Sequence, residues 1–397
     1  MKILMLTPYL PFPLLSGGQI RTYNLLKNLK SKHEITLFAY IRKESERKYI
    51  KELEKYCHKV RVFKRRPAWD IRNILFAGLS SYPFLVSIYR SNHFAEEIGK
   101  ELEAGDYDLI HAETFYMMPN IPKTNTPIIL AEQTIEYDAY QQFTKNTKIW
   151  PAKPFMFLDV FKIKRWETHY WKTASRLITM SEGDKHAIQD DLKQKLPIDV
   201  VANGVDTDFF AKTNKENLPK NPTVLFVGTF KWLPNIDAVE LLVEKVWPHV
   251  IKNLPQAKLL IVGFSPNDKI LDYGKDPSIT VRGDVKDIRD AYGEAHALLA
   301  PIRSGKGTRY KILEAMATST PIIATHLAVE GIGIKDGTHA LMADKPESLA
   351  QLTVKVLSDK NLRKKLAQNS YKLVTQNFNW QAISKDLDRV YSEVGAK

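Results

Sequence analysis

Cysteine is almost missing from this chain. Cys57 is the single thiol in 397 residues, which excludes an intramolecular disulfide and a cysteine-built metal cluster and suits a reducing compartment. Long apolar runs are missing too. No stretch approaches the ~18–20 consecutive apolar residues of a membrane span. The opening Met1-Lys2-Ile3-Leu4-Met5-Leu6-Thr7-Pro8 carries too short a run for a signal-peptide core before prolines intervene. A cytoplasmic protein is therefore expected. Neither G-x-G-x-x-G nor a Walker sequence occurs, which removes support for dinucleotide or ATP binding. No recognised nucleic-acid module is present, and no nucleic acid is expected as a partner. Short-period repeats and low-complexity tracts are also absent.

What the chain has in excess is positive charge: 58 Lys and Arg against 45 Asp and Glu, a net +13. An excess of this size points to anionic partners such as phosphates or an acidic membrane surface, and is equally compatible with a solvated lysine-rich exterior. The composition, 44% hydrophobic and 26% charged, is that of a globular protein. At ~100–200 residues per domain the length predicts two domains.

Short apolar runs alternate with helical patterns throughout. The first half predicts strands at 2–6, 34–40, 60–63, 108–112, 128–131, 177–180 and 199–202, with helices over 18–30 and 44–56. The second half predicts strands at 223–227, 258–262, 279–281, 297–300 and 321–324, with helices over 236–251, 309–316 and 346–357. Such alternation implies parallel sheets covered on both faces. The stretch 203–222 has a linker-like composition, and 382–394 reads as an amphipathic tail helix. The predicted organisation is an α/β protein with a domain over 1–205, a second over 206–380 and a terminal helix over 381–397. Doubly wound sheets bind ligands outside their strand C-termini, so the chemistry is expected on loops that follow strands.

Four such loops in the second half carry glycine, and three of them carry cations. Val227-Gly228-Thr229-Phe230-Lys231 and Val262-Gly263-Phe264 each follow a predicted strand. Val281-Arg282-Gly283-Asp284 offers backbone for a base. The fullest segment is Pro301-Ile302-Arg303-Ser304-Gly305-Lys306-Gly307-Thr308-Arg309-Tyr310-Lys311-Ile312-Leu313-Glu314. There, amides at a helix start can take phosphate oxygens. Arg309 and Lys311 can neutralise a diphosphate, and the Glu314 carboxylate can accept from a ribose diol. In the first half, the Gly17-Gly18 pair opens a helix after the first strand and reads as contact with a diphosphate or an acceptor, or as a plain turn. His111 ends a strand beside Glu113. Of Glu132 and Glu136, one is expected to face an acceptor and the other to pair with a nearby base. The stretch 155–171 mixes aromatics with Lys162, Lys164 and Arg165; it reads either as a membrane-surface helix or as one packed on the sheet.

The order and spacing of Phe226-Val227-Gly228, Pro234-Asn235-Ile236-Asp237-Ala238, Ile261-Val262-Gly263, Val281-Arg282-Gly283-Asp284-Val285, Gly305 to Ala317 and Val329-Glu330-Gly331 resemble glycosyltransferase family 4, in a subgroup with a Gly-Thr-Arg-x-Lys-x-x-Glu donor motif. The resemblance implies the GT-B fold, two Rossmann-like domains facing a central cleft, with the last helix packing back on the first domain. It implies transfer from a nucleoside diphosphate sugar of the UDP or GDP type, with retention and no metal or other cofactor. The acceptor would be a glycan, a lipid-linked molecule or another cell-envelope or secondary-metabolite compound. From its charge and the 155–171 stretch, the protein itself is expected in the cytoplasm or peripheral to the inner face of a membrane. The candidate donor-binding residues are Gly17, Gly18, Gly228, Thr229, Lys231, Arg282, Gly307, Thr308, Arg309, Lys311 and Glu314. The candidate catalytic residues are His111, Gln133, Glu136, Lys231 and Arg309. Two positions depart from the family: Lys306 stands where many members carry glutamate, and Gln133 where related sequences carry histidine. Glutamine positions a substrate but transfers no proton. The competing classes are a nucleotide-sugar epimerase or hydrolase on the same fold, and a non-catalytic nucleotide-sugar binder.

Overall fold

The computed structural model describes residues 1–147, 150–193, 196–216, 218–305 and 307–395. The chain divides into two compact units, Met1–Asn203 with Ile383–Lys397, and Gly204–Ala382.

The first unit is built on a seven-stranded sheet in the order β3-β2-β1-β4-β5-β6-β7. Its strands are β1 Lys2–Thr7, β2 Glu34–Ile41, β3 Lys59–Lys64, β4 Leu109–Glu113, β5 Ile128–Glu132, β6 Arg176–Thr179 and β7 Ile198–Val200. Every pairing is parallel. β1 and β2 are buried along nearly their whole length, as expected of strands covered on both faces. Leu4, Leu6, Phe38, Ile110 and Leu130 join Phe94, Phe115 and Trp171 from the covering elements in one core. The helix Trp380–Gly395 closes this unit through its distal part. There Tyr391 is fully buried, Asp388 pairs with His33 at 2.8 Å, and Arg389 reaches Asp199 at 3.1 Å.

The second unit carries a six-stranded parallel sheet, β10-β9-β8-β11-β12-β13. Its strands are β8 Thr223–Val227, β9 Lys258–Gly263, β10 Ile279–Gly283, β11 Ala297–Ala300, β12 Ile322–Ala324 and β13 Leu341–Met342. In both sheets the strand order reverses beside the first strand of the unit, between β1 and β4 and between β8 and β11. A doubly wound sheet opens its ligand crevice at such a reversal.

Three expectations need correction. The helix predicted over 44–56 is a 3₁₀ segment, Glu44–Tyr49, and a single α-turn, Ile50–Leu53. Only Leu53 in the two is buried, so there is no apolar stripe to hold a longer α-helix. The helix predicted over 236–251 consists of Leu233–Leu241, a π-turn at Leu242–Val246, and Trp247–Asn253. Pro248 has no N–H and its ring crowds the carbonyl four residues back, and the wider turn ahead of it accommodates both. The linker-like stretch 203–222 contains the helix Thr207–Ala211, capped by Asp206, with Phe210 buried.

Candidate functional site

At the reversal in the second unit, the loop after β11 runs into the helix Tyr310–Ala317. Gly305 and Gly307 take φ of 95° and 88°, a region where a side chain would be strained. The resulting turn brings their carbonyls onto the Arg309 guanidinium, with Nη2 donating to the Gly305 carbonyl at 2.6 Å and Nη1 to that of Gly307. Two residues on, Lys311 is 8% exposed. Its ammonium donates to Asn235 Oδ1 at 2.9 Å and lies 4.2 Å from the centre of the Phe226 ring. Asn235 in turn donates to the Thr229 carbonyl at 2.9 Å and packs on Gly228, where an added Cβ would come within 2.9 Å of it. The loops after β8 and β11 are thereby joined through one amide side chain.

Burial is the main electrostatic force here. It pushes the Lys311 ammonium down to about 7, with the neighbouring Arg309 charge adding to the fall and Glu314 opposing it. Burial also raises the Glu314 carboxyl, against the Tyr292 hydroxyl and Lys311. The Tyr292 hydroxyl lies 2.9 Å from Glu314 Oε2 and 3.1 Å from the Lys311 carbonyl. Thr308 and Arg309 are half-buried beside this cluster. Lys231 is exposed, its ammonium 4.7 Å from the Phe264 ring centre. Arg282 is held away in a two-point pair with Glu294, at 2.7 and 2.9 Å. Lys306 lies outside the described residues.

A second cluster forms at the reversal in the first unit. Gly17 and Gly18 open the helix Gly17–Leu29 behind the Ser16 cap. A Cβ on Gly18 would sit 2.4 Å from the Tyr9 hydroxyl and 2.6 Å from Gln133 Oε1, so this close approach explains the glycine. The Gln133 amide donates to Tyr9 Oη at 2.6 Å and to Glu113 Oε2 at 2.7 Å. His111 is fully buried. Its Nδ1 lies 2.8 Å from the Tyr391 hydroxyl and its Nε2 3.3 Å from Glu113 Oε1. It does not reach an open strand edge, because the terminal helix covers it. Desolvation would raise Glu113, but His111, Arg21 and Gln133 outweigh it and hold the carboxyl below its usual range. Arg21, 1% exposed, donates to the Ala202 carbonyl at 2.7 Å.

Beyond β5 the expected base beside Glu132 or Glu136 is replaced by a third acid. Glu132 Oε1 accepts from the Trp171 indole at 3.0 Å. Glu167 caps the helix Glu136–Asn146, accepting from the Glu136 and Tyr137 amides at 2.7 and 3.0 Å. Burial raises all three carboxyls, Glu136 to about 7. Among the described residues no group of three or more His, Cys, Asp or Glu is arranged to hold a metal ion, and no helix is long and apolar enough to cross a membrane.

Asn235, Tyr292, Tyr9, Arg21 and Glu167 were not singled out from sequence. Asn235 stands within the Pro234–Ala238 motif, in the first turn of the helix Leu233–Leu241, with no sequence signal of its side-chain partners. Tyr292 and Glu167 sit in ordinary helical patterns, and their partners are distant in the chain, so no local signal marks them.

Comparison with known proteins gives two family matches. Residues 15–209 match the model described as Glycosyltransferase Family 4. Residues 221–359 match the model described as Glycosyl transferases group 1. The phosphatidyl-myo-inositol mannosyltransferase of Mycobacterium tuberculosis is 29% identical over 212 residues, 50% of this chain and 55% of that enzyme; the chain thus matches about half of that relative's length. Among solved structures, sucrose-phosphate synthase from Thermosynechococcus elongatus superposes with a TM-score of 0.74 at 18% identity, over 100% of both chains. The Anabaena protein HepE, in complex with UDP and glucose, superposes with a TM-score of 0.65 at 16% identity, over 99% of this chain and 100% of its own. The two parallel sheets of seven and six strands are those of the GT-B fold.

Proposed function

From a chain that belongs with the glycosyltransferases in both of its units, we propose transfer of a sugar from a nucleoside diphosphate sugar to a glycan or lipid-linked acceptor, with retention at the anomeric carbon and without a metal. The donor is held by the second unit. The acceptor is assigned to the strand ends of the first, around Gly18, Gln133 and Glu136.

One observation carries this reading. Lys311 is enclosed at the crevice of the second sheet with its ammonium on a neutral amide, and Arg309 stands beside it. Buried cations need an anion or they shed their proton. A diphosphate supplies that anion. It restores the Lys311 charge, takes hydrogen bonds from the amides at the start of the helix Tyr310–Ala317, and leaves more easily as negative charge builds up on it during transfer. Glu314, positioned by Tyr292, then faces the ribose, while Lys231 at the loop's exposed rim approaches the diphosphate from solvent. The network around Gln133 is committed to hydrogen bonds with Tyr9 and Glu113, so it orients rather than transfers protons.

A thermal-shift screen against UDP- and GDP-sugars tests this reading. A donor present at ~100 times its dissociation constant adds ~2.7 kcal/mol of stability. Arg309→Ala, Lys311→Ala and Glu314→Ala should each weaken that response and lower transfer. Full turnover by all three variants refutes the assignment. Sugar epimerised without any acceptor would instead identify an isomerase.

A further inference from the structure

An amphipathic helix normally turns its apolar stripe inward. The helix Ile71–Leu79 does the reverse. Asn73 and Ala77 are its buried residues, while Ile71, Leu75 and Leu79, spaced four apart on one face, are exposed, Leu79 by 88%. The helix Lys153–Thr173 has two apolar faces. Val160, Ile163 and Trp171 form its buried stripe with Glu167. Phe155, Leu158 and Phe161, spaced three apart, form a second stripe on solvent, with Phe155 76% exposed.

The two helices are fastened together. Lys162 donates to the Ala77 and Ser80 carbonyls at 2.6 and 2.8 Å. The Trp166 indole donates to the Ser81 carbonyl at 2.8 Å. Each of the six exposed side chains keeps more than half of its surface on solvent, and apolar exposure clustered on two joined helices, unlike scattered single residues, marks an interaction surface.

The charges around this surface identify its occupant. Arg66, Arg72, Arg165 and Lys172 are exposed, and among the described residues none of them has a carboxylate partner. Three acids belong to the same segments: Asp70, which accepts from the Arg72 amide at 2.9 Å, Asp159, which accepts from the Phe84 amide at 2.7 Å, and Glu167, which is buried and caps the helix Glu136–Asn146. Four exposed cations against the two partly exposed carboxylates leave the outward charge positive. Exposed aromatic and aliphatic side chains on segments that also expose arginine and lysine match the boundary between headgroups and acyl chains of an anionic bilayer.

We infer that the paired helices Ile71–Leu79 and Lys153–Thr173 form a docking surface for an anionic lipid bilayer, into which Leu79, Phe155 and Phe161 insert. This adds a partner to the sugar-transfer reading and favours a lipid-linked acceptor. The docking itself does not depend on donor chemistry.

The test is co-sedimentation of the full chain with vesicles of phosphatidylcholine alone or with phosphatidylglycerol, at low and high salt. Binding to the phosphatidylglycerol vesicles, reduced by salt, is expected. The triple variant L79E/F155E/F161E should lose it, and each of R66A and R165A should weaken it about fivefold. The control K364A/K365A, on an exposed basic face of the second unit, should bind as the unaltered chain does. No binding to anionic vesicles, or an equal loss in the control, overturns the inference. So does a change of oligomeric state by the triple variant in lipid-free solution, which would assign the surface to a second copy of the chain. UDP binding, measured on each variant by thermal shift, should stay unchanged. If vesicle binding holds while UDP binding fails throughout, the docking surface stands and the donor assignment falls.

Discussion

Replacing Lys311 with methionine should make the empty protein more stable and the nucleotide-bound protein less so. Lys311 is enclosed, and its pKa falls from 10.5 to about 7. At 1.36 kcal/mol per pKa, this is a cost on the order of 5 kcal/mol for keeping the ammonium in the folded state. The folded pKa is the lower of the two, so between about 7 and 10.5 the unfolded chain binds the extra proton. The penalty is complete below pH 7 and is relieved as pH rises towards 10.5. From pH 7 to pH 9 the unaltered chain should gain about 2 kcal/mol from this one group. Methionine has similar length and no charge, so it escapes both the penalty and its pH dependence.

The assay is thermal unfolding of Lys311→Met beside the unaltered chain at pH 7 and pH 9, with and without UDP. For a unit of this size ~2 kcal/mol is about 4–8 °C. Without nucleotide the variant should melt higher at pH 7, and its lead should shrink by that amount at pH 9. Its affinity for UDP should fall ~10- to 100-fold, the loss of one charge-assisted contact. A variant that melts lower than the unaltered chain at pH 7 and still binds UDP normally would refute the argument that this lysine is held charged for a diphosphate.

Gly18→Ala forces a Cβ against the Tyr9 hydroxyl and Gln133 and should cost ~1–3 kcal/mol in chemical denaturation; adding Tyr9→Phe should recover part of it. Tyr292→Phe should raise the donor KM ~3- to 10-fold with kcat little changed, since it removes one hydrogen bond that orients Glu314; an unchanged KM removes the positioning role. The Glu136 carboxyl is raised to about 7 by burial, so its ionisation destabilises the fold as pH climbs from ~4.5 to ~7. Glu136→Gln should accordingly be ~3 kcal/mol more stable than the unaltered chain at pH 8 and about equal to it at pH 4. Arg282→Ala breaks an exposed pair with Glu294 and should change stability by under ~1 kcal/mol and UDP affinity by less than twofold.

Much of the frame was legible in the sequence because parallel strands announce themselves. A strand covered on both faces is apolar through its interior, as β1, β8 and β11 are, and the run is its own signal. The two-residue β13 pairs through only two positions, too short to leave a pattern. The donor loop was legible for a related reason. Two glycines, three cations and a carboxylate within the ten residues 305–314 form a local cluster that composition cannot hide. The cluster at Gly18 was half legible. The glycine was visible, but its cause was not: Tyr9 and Gln133 meet it from positions nine residues before and 115 after. The surroundings of His111 were hidden for a comparable reason: near the C-terminal end of its strand it is covered by Tyr391, 280 residues away. The same helix that hides His111 also lets it act on Glu113. Sealed from water, the imidazole and Arg21 keep that carboxylate ionised in a core that would otherwise protonate it, and the ionised oxygen is what the Gln133 amide needs to stay fixed. His111, a candidate catalytic residue in the sequence, is thus enclosed between Glu113 and Tyr391, where it acts on the carboxylate that holds the Gln133 amide.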